Sequence, residues 1–238
     1  MPQAIPVILS WSGGKDSALA LHALRQDARY EVRGLLTSVN EHYHRISMHG
    51  VRETLLDAQA RSIDLPLHKM RLSEHPTNEE YEWKMCKVLK DVKMQGIRHV
   101  AFGDLFLEDI RRYRENNVAQ LQMECVFPLW QRPTGKLARE FIALGFKALL
   151  CCVDEQSMNG GFAGREFDEM LLRELPAGVD PCGENGEFHT FVYAGPEFHR
   201  PIPFQRGKFE LRDQRFHFCD LIPTEVSHEH LVTTVHSR

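Results

Sequence analysis

The sequence predicts an α/β protein: a Rossmann-like parallel-sheet domain over residues 1–125, a smaller α+β domain over 126–223 and a flexible tail over 224–238. Three observations carry this. Short apolar runs alternate with segments of helical spacing through the first half, the pattern of strand–helix–strand units in a parallel sheet. The first run breaks abruptly into a Gly-rich loop that opens a helix, an arrangement that α/β folds use to bind phosphate. Beyond Cys125 that rhythm gives way to a strand, a short helix, another strand and a loop rich in Gly and Glu. A chain of 238 residues with 42% hydrophobic content can bury the core this needs.

Ile5–Ser17 reads I-P-V-I-L-S-W-S-G-G-K-D-S. Ile5 to Leu9 is apolar, Ser10, Ser12, Gly13 and Gly14 make a polar turn, and Ser17 opens an Ala/Leu-rich run to Leu24. Strand, tight loop and helix in this order aim the loop amides and the unsatisfied helix-start amides at one point, which suits phosphate. The two glycines permit close approach and positive φ. Lys15 offers a cation for phosphate oxygens, and Asp16, a carboxylate at an anion site, makes sense chiefly as a metal ligand. The spacing is neither G-x-x-x-x-G-K-[ST] nor G-x-G-x-x-G.

Tyr30–Val39 reads as the second strand, polar at its end in Thr37 and Ser38, where ligands of parallel sheets collect. Asn40–Gly50 holds His42, His44, Met48 and His49, but their spacing fits no zinc pattern and no thiolate lies near. A helix runs from Val51 to Ser62, Pro66–Leu72 is a third apolar segment, and Asn78–Gln95 is a long helix closed by Gly96. His99–Asp104 reads as a fourth strand ending in Gly103-Asp104, where a second carboxylate would face the site. The helix from Glu108 to about Gln122 carries Arg111, Arg112 and Arg114, most simply a solvated face, with a clamp on a phosphate or carboxylate substrate as the functional reading.

In the second unit, Val126–Trp130 is expected as a strand, Leu137–Leu144 as a helix and Phe146–Val153 as a strand that puts Cys151 and Cys152 on opposite faces. Phe162–Leu175 has a helical pattern. Asp180–Tyr193, D-P-C-G-E-N-G-E-F-H-T-F-V-Y, describes a loop presenting Glu184 and Glu187 at a sheet edge, or more simply a hairpin turn at Asn185-Gly186. Lys208–Leu221 alternates Phe209, Leu211, Phe216 and Phe218 with charges, a closing antiparallel hairpin.

Charge narrows the partners. Lys and Arg total 29 against 33 Asp and Glu, a net charge of −4 that argues against gripping nucleic acid. Six cysteines without a C-x-x-C pair, and neither a secretory signal nor a long apolar span, point to the cytoplasm and away from membranes.

S-G-G-K-D-S at 12–17, directly after the first strand, resembles the S-G-G-x-D-S signature of the PP-loop ATP pyrophosphatases, the HUP-type adenine nucleotide alpha hydrolase superfamily. Far downstream, G-E-N-G-E-F-H-T-F-V over 183–192 is similar to the C-terminal signature of the diphthine–ammonia ligase family. F-A-G-R at 162–165 and D-P-C-G-E at 180–184 are similar to that family's second domain, and the resemblance covers roughly residues 5–200. It implies ATP and Mg²⁺ as cofactors, cleavage of ATP between its α and β phosphates, adenylation of a carboxylate, and attack by ammonia to give an amide and AMP. The partners it implies are ATP, ammonia and a carboxylate-bearing acceptor, a protein side chain among the options; a homodimer is left open. No glutaminase arrangement is visible, so ammonia itself is the implied amine.

Carried over residue by residue, the resemblance puts Ser10, Ser12, Gly13, Gly14, Lys15 and Ser17 around the phosphates. Asp16 falls on the metal, Met48, His49 and Gly50 against the adenine, and Gly103 and Asp104 at the nucleotide. Glu184, Asn185, Gly186, Glu187, His189 and Thr190 fall toward the substrate, with Lys15, Asp16, Glu184 and Glu187 catalytic. One departure stands out: His189 occupies a position where the protein-modifying members usually carry an acid. With an ordinary pKa near 6.5, it would bring a pH dependence between about 5 and 8. Two other functions compete. A PP-loop tRNA-modifying enzyme is disfavoured by the missing C-x-x-C motif and the acidic balance, and a non-catalytic adenine-nucleotide sensor would need neither Asp16 nor the Glu loop.

Overall fold

The structure, a computed structural model, describes residues 3–46 and 49–224. Met48 and the tail beyond Thr224 lie outside the described residues.

The first half runs β1 (Ile5–Ser10), α1 (Lys15–Gln26), β2 (Tyr30–Asn40), β3 (Arg45–Ile46), α2 (Glu53–Ile63), β4 (Leu67–Leu72), α3 (Asn78–Met94), β5 (His99–Ala101), α4 (Glu108–Ala119) and β6 (Glu124–Val126). Its sheet has the order β3-β2-β1-β5-β6, with β4 also paired to β2. Every pair is parallel except β2 with the two-residue β3. Val7, Ile8 and Leu9 of β1 are all fully buried, as expected of a central parallel strand covered on both faces. From β1 the chain builds outward to β2 and β4, then returns to the other side for β5 and β6. The carboxyl ends of β1, β2 and β5 therefore flank a topological switch point, where open α/β sheets bind their ligands.

The second half contains α5 (Thr134–Ala143), β7 (Lys147–Asp154), a 3₁₀ turn (Gly160–Phe162), α6 (Glu169–Glu174), β8 (Phe188–Ala194), β9 (Phe204–Arg212) and β10 (Phe216–Pro223). Its sheet is antiparallel, in the order β8-β7-β10-β9, with β9 and β10 forming the expected hairpin. One apolar core runs through both halves, from Leu21 and Leu56 to Phe141, Phe188 and Phe191. The protein is thus a Rossmann-like α/β domain carrying a smaller antiparallel domain, and no helix among the described residues is long and apolar enough to cross a membrane.

Two expected elements differ. Val126–Trp130 is not a strand: β6 ends at Val126 as an edge of the first sheet, because Pro128 has no N–H to donate and Gln131 takes a φ of 56°. The helical pattern over Phe162–Leu175 contains only the 3₁₀ turn and the short α6. Gly164 at φ 78° breaks the run and Glu166 bridges in extended form to Leu149, so α6 starts only after Asp168, which caps the Leu171 amide at 2.8 Å. Cys151 and Cys152 alternate along β7 and are both buried, and burial pushes the Cys152 thiol up to about 12, so neither is a reactive thiolate.

Candidate active site

The Gly loop is held from behind by Gln59 of α2, a polar side chain with no exposed surface. Its Oε1 accepts from the Trp11 indole at 2.9 Å, and its Nε2 donates to the carbonyls of Gly13 at 3.0 Å and Val192 at 2.6 Å. Gly13 has a φ of 76°, and a Cβ there would stand 2.8 Å from Gln59 Oε1, so loop and brace leave no room for a side chain. On the open side Ser12 Oγ accepts from the Gly14 amide at 3.2 Å and lies 3.3 Å from Ser17 Oγ, which donates to the Gly14 carbonyl. The turn after β5 also closes on the start of α1: a Cβ on Gly103 would sit 3.0 Å from the Asp16 carbonyl.

The second domain completes this loop. The Val192 amide donates to the Gly13 carbonyl at 2.9 Å, and Thr190 Oγ1 accepts from the Lys15 amide at 3.0 Å. The Lys15 side chain turns inward rather than lying along the loop. Its buried ammonium donates to the Asp16 carboxylate at 2.8 and 2.9 Å and to the Cys182 carbonyl, 5.5 Å from the Phe188 ring centroid. Burial pulls its pKa down, but the attraction of Asp16 outweighs this and keeps Lys15 charged.

The acids of the Glu loop part ways. Glu184 reaches across to the first domain and accepts from the amides of Leu105 at 2.8 Å and Phe106 at 3.4 Å. Burial pushes its carboxyl up to about 7; the Leu105 amide opposes this and the nearby Asp16 charge adds to it. Glu187, expected at the substrate, is folded into its own loop. It accepts from the Asp180 amide at 3.0 Å, the Asn185 amide at 2.9 Å and Asn185 Nδ2 at 2.9 Å, and lines no part of the cleft. Asn185 is exposed and spends its side chain on that brace, whereas Gly186 does line the cleft. Gly50 is a packing position, its Cα 67° in φ and tight against the Phe218 ring, with its carbonyl accepting from Arg45 at 2.6 Å.

Three cavities meet here. One of about 250 Å³ is lined by Ser10, Ser12, Lys15, Asp16, Ser17, Gly103, Asp104, Glu184 and Thr190. Its neighbour, about 430 Å³, runs over Leu36, Thr37, Met70, Tyr81 and Met85. The third, about 690 Å³, opens toward the β9–β10 turn. His49 and His189 stack between them with centroids 4.6 Å apart and rings inclined by 30°, and His49 Nδ1 lies 3.2 Å from the Thr190 carbonyl. Burial holds His49 well below its ordinary pKa, and burial with the Lys15 charge holds His189 to about 4. His189 thus lies below the range of 5 to 8 in which it was expected to titrate, and Glu184 is the group of the cleft raised into it.

Arg114, which the sequence placed most simply on a solvated face, instead has a guanidinium that lines two of the cavities, pairs with Asp104 at 2.6 Å and lies 4.4 Å from the Phe102 ring centroid. It is not part of a solvated face, and neither is Arg111, whose guanidinium lies against both the Phe127 and Trp130 rings; Arg112 alone of the three is exposed. Gln59 was not singled out, although a glutamine on the apolar face of a helix was a visible anomaly, whereas Thr37, expected at the ligand end of its strand, has a buried hydroxyl without a partner among the described residues. Among the described residues no three His, Cys, Asp or Glu side chains gather as a metal cage. Asp16 lines the smallest of the three cavities together with Asp104 and Glu184, a sparse set of carboxylates of the kind that holds Mg²⁺ when phosphates supply the remaining ligands.

Comparison with known proteins agrees with this architecture. Residues 5–123 match the diphthamide synthase N-terminal domain and residues 133–220 the diphthamide synthase C-terminal domain. The chain is similar to the diphthine–ammonia ligase of Mus musculus, 30% identical over an alignment of 220 residues, with 80% of this chain and 79% of the relative covered. It is similar to those of Danio rerio, at 32% over 62% of this chain and 64% of the relative, and Homo sapiens, at 28% over 62% and 61%. The match thus spans a little under two thirds of the zebrafish and human proteins. With both domain models matched in order and the two-domain fold in place, the chain belongs to the diphthamide synthase family, that of the diphthine–ammonia ligases.

Proposed function

We propose that this chain is an ATP-dependent ligase that adenylates a carboxylate and passes the acyl group to ammonia. The observation that supports this most is that the S-G-G-K-D-S loop, at the switch point of the sheet, opens onto two adjoining cavities of different chemistry. The larger has apolar walls in Leu36, Met70 and Met85 and a buried hydroxyl, Thr37, without a partner among the described residues, which suits a purine and its ribose. The smaller carries hydroxyls of Ser12 and Ser17 and the carboxylates of Asp16 and Glu184, which suits phosphates and proton transfer. His49 lies between the two, beside the adenosine end.

A carboxylate is a poor acyl donor because its leaving group would be oxide. Attack of the carboxylate oxygen on the α-phosphorus forms an acyl–AMP bond and breaks the bond to the β-phosphate oxygen, so pyrophosphate leaves with its electron pair. Ammonia then attacks the acyl carbon, AMP departs, and one proton is released with the amide. Ser12, Ser17 and the loop amides orient the phosphates. Mg²⁺ held by Asp16 and the phosphates would neutralise charge on the departing pyrophosphate. Glu184, with a carboxyl near neutrality, takes the proton that ammonia gives up. Lys15 acts by holding Asp16 and the Cys182 carbonyl in place rather than by cradling phosphate, and Glu187 by shaping the loop that carries Glu184. Six unpaired cysteines suit a reducing cytoplasm.

The test is product analysis with α-labelled ATP, ammonium and a panel of carboxylates. Labelled AMP with pyrophosphate supports the reading; ADP with orthophosphate as the products counts against it.

A further inference from the structure

Among the described residues, His189 is the one that lines all three cavities. The two already discussed share a whole set of lining residues with each other, including Ser10, Ser12, His49 and Arg114, but only His189 with the third. Among the described residues, the third cavity therefore meets the other two at a single side chain.

Its make-up is graded. The floor is Cys152, the His189 imidazole and the faces of Phe216 and Phe218, and the mouth carries Tyr43, Glu74, His75, Arg212 and Asp213. The mouth is braced: the Tyr43 hydroxyl donates to Glu74 at 2.5 Å, and the Arg212 guanidinium lies 4.8 Å from the Phe218 ring centroid while pairing with Glu210 at 2.7 Å. At about 690 Å³ the space has the size of a small-molecule pocket. Its floor holds no carboxylate among the described residues, and its innermost polar group is an imidazole that can donate to an anion.

We infer that the third cavity is the acceptor site: it holds the apolar or aromatic body of a carboxylic acid against Phe216 and Phe218, with the carboxylate presented past His189 to the nucleotide. The assignment rests on the ligase reading for the direction in which the carboxylate points, and on the cavity's own make-up for the rest. A free carboxylic acid and a carboxylate on a modified protein side chain share this chemistry. A polar far end of the acceptor meets the charged mouth. His189 is then a positioning residue at the neck, donating a hydrogen bond to the carboxylate that enters.

The probes are 4-(trifluoromethyl)phenylacetate and its homologues with up to three methylenes, followed by fluorine NMR, with 4-(trifluoromethyl)benzyl alcohol as the uncharged control. Nucleotide affinity is measured in parallel with α,β-methylene-ATP, which also reports that each variant is folded. Wild-type protein should bind at least one carboxylate of the series. Glu74→Trp, which fills the mouth, and Phe216→Ala, which removes the wall, should each weaken it by about tenfold or more and leave nucleotide affinity within about twofold. His189→Ala should weaken the carboxylate and not the alcohol. No binding by any homologue, or binding that neither Glu74→Trp nor Phe216→Ala changes, overturns the assignment. Probe binding lost in these variants of a protein that makes no AMP keeps the site and overturns the ligase reading. Amide and AMP formation whose acceptor dependence is unchanged in Glu74→Trp does the reverse. A protein-bound acceptor is distinguished from a free acid by whether a short peptide carrying the carboxylate competes with the probe.

Discussion

Thr190 Oγ1 accepts a 3.0 Å hydrogen bond from the backbone amide of Lys15, 175 positions earlier in the chain. The start of α1 is thus capped not by its own Gly14 but by a strand of the other domain. A first-turn amide that would otherwise be free to meet an anion is already satisfied, and the loop's shape depends on both domains.

Thr190→Val should remove that cap while keeping the β-branched shape. Loss of a helix N-cap costs about 1 kcal/mol, so the variant should lose a few degrees in melting temperature and bind ATP several-fold more weakly. Thr190→Ser should restore both. Calorimetry and nucleotide titration of the pair check this; an unchanged ATP affinity in Thr190→Val would leave the contact a purely structural one.

Gln59 should be intolerant of apolar replacement. Gln59→Leu leaves the Trp11 indole without its acceptor and removes a donor from the Val192 carbonyl and from the Gly13 carbonyl, which keeps the Val192 amide; a buried polar group left unpaired costs about 1–3 kcal/mol. Urea denaturation should show one of the larger single-site losses in the protein.

Glu184, with its carboxyl raised from 4.5 to about 7, couples activity and stability to pH in opposite senses. Ammonia-dependent turnover needs the ionised form, so the rate should rise as pH passes through about 7, and Glu184→Gln should flatten that rise and lower the rate by about 10² or more. In the folded state the group holds a proton between 4.5 and 7 that the unfolded chain releases, so its contribution to stability is present at low pH and is lost as pH rises through that window. Denaturation at pH 5 and pH 8 should show this slope in wild type and not in Glu184→Gln.

Glu53, in the first turn of α2, runs the other way. Burial opposes its ionisation, but hydrogen bonds from Lys69 and Arg71 at 2.8 Å prevail and lower its pKa to about 2. Its stabilising contribution is present above 4.5 and is lost as pH falls toward 2. Acid titration of Glu53→Gln, which should lack that loss, checks it.

The parallel sheet and the closing hairpin were legible because each rests on local pattern: apolar strands, helical spacing, and alternation over Phe209–Phe218. The Gly loop was legible as a tight turn from strand to helix because its two glycines stand between an apolar run and a helical one. What escaped the sequence lies in contacts between residues far apart in it. Nothing near Glu187 says that its carboxylate is consumed by Asp180 and Asn185, or near Lys15 that its ammonium meets the Cys182 carbonyl. Arg114 reads like its neighbours Arg111 and Arg112 until the fold places Asp104 beside it. His189 reads as a group titrating near neutrality until burial is known. The helix expected over Phe162–Leu175 failed for a local reason, since apolar spacing outweighed Gly164 in the reading and did not do so in the chain.

The central claim is that a carboxylate oxygen attacks the α-phosphorus of ATP. The most direct measurement supplies an acceptor labelled with ¹⁸O in its carboxylate, together with ATP and ammonium, and follows the label by mass spectrometry. Adenylation predicts one ¹⁸O in the AMP released, with none in pyrophosphate and one left in the amide. Label in orthophosphate, or unlabelled AMP beside a labelled amide, would contradict it.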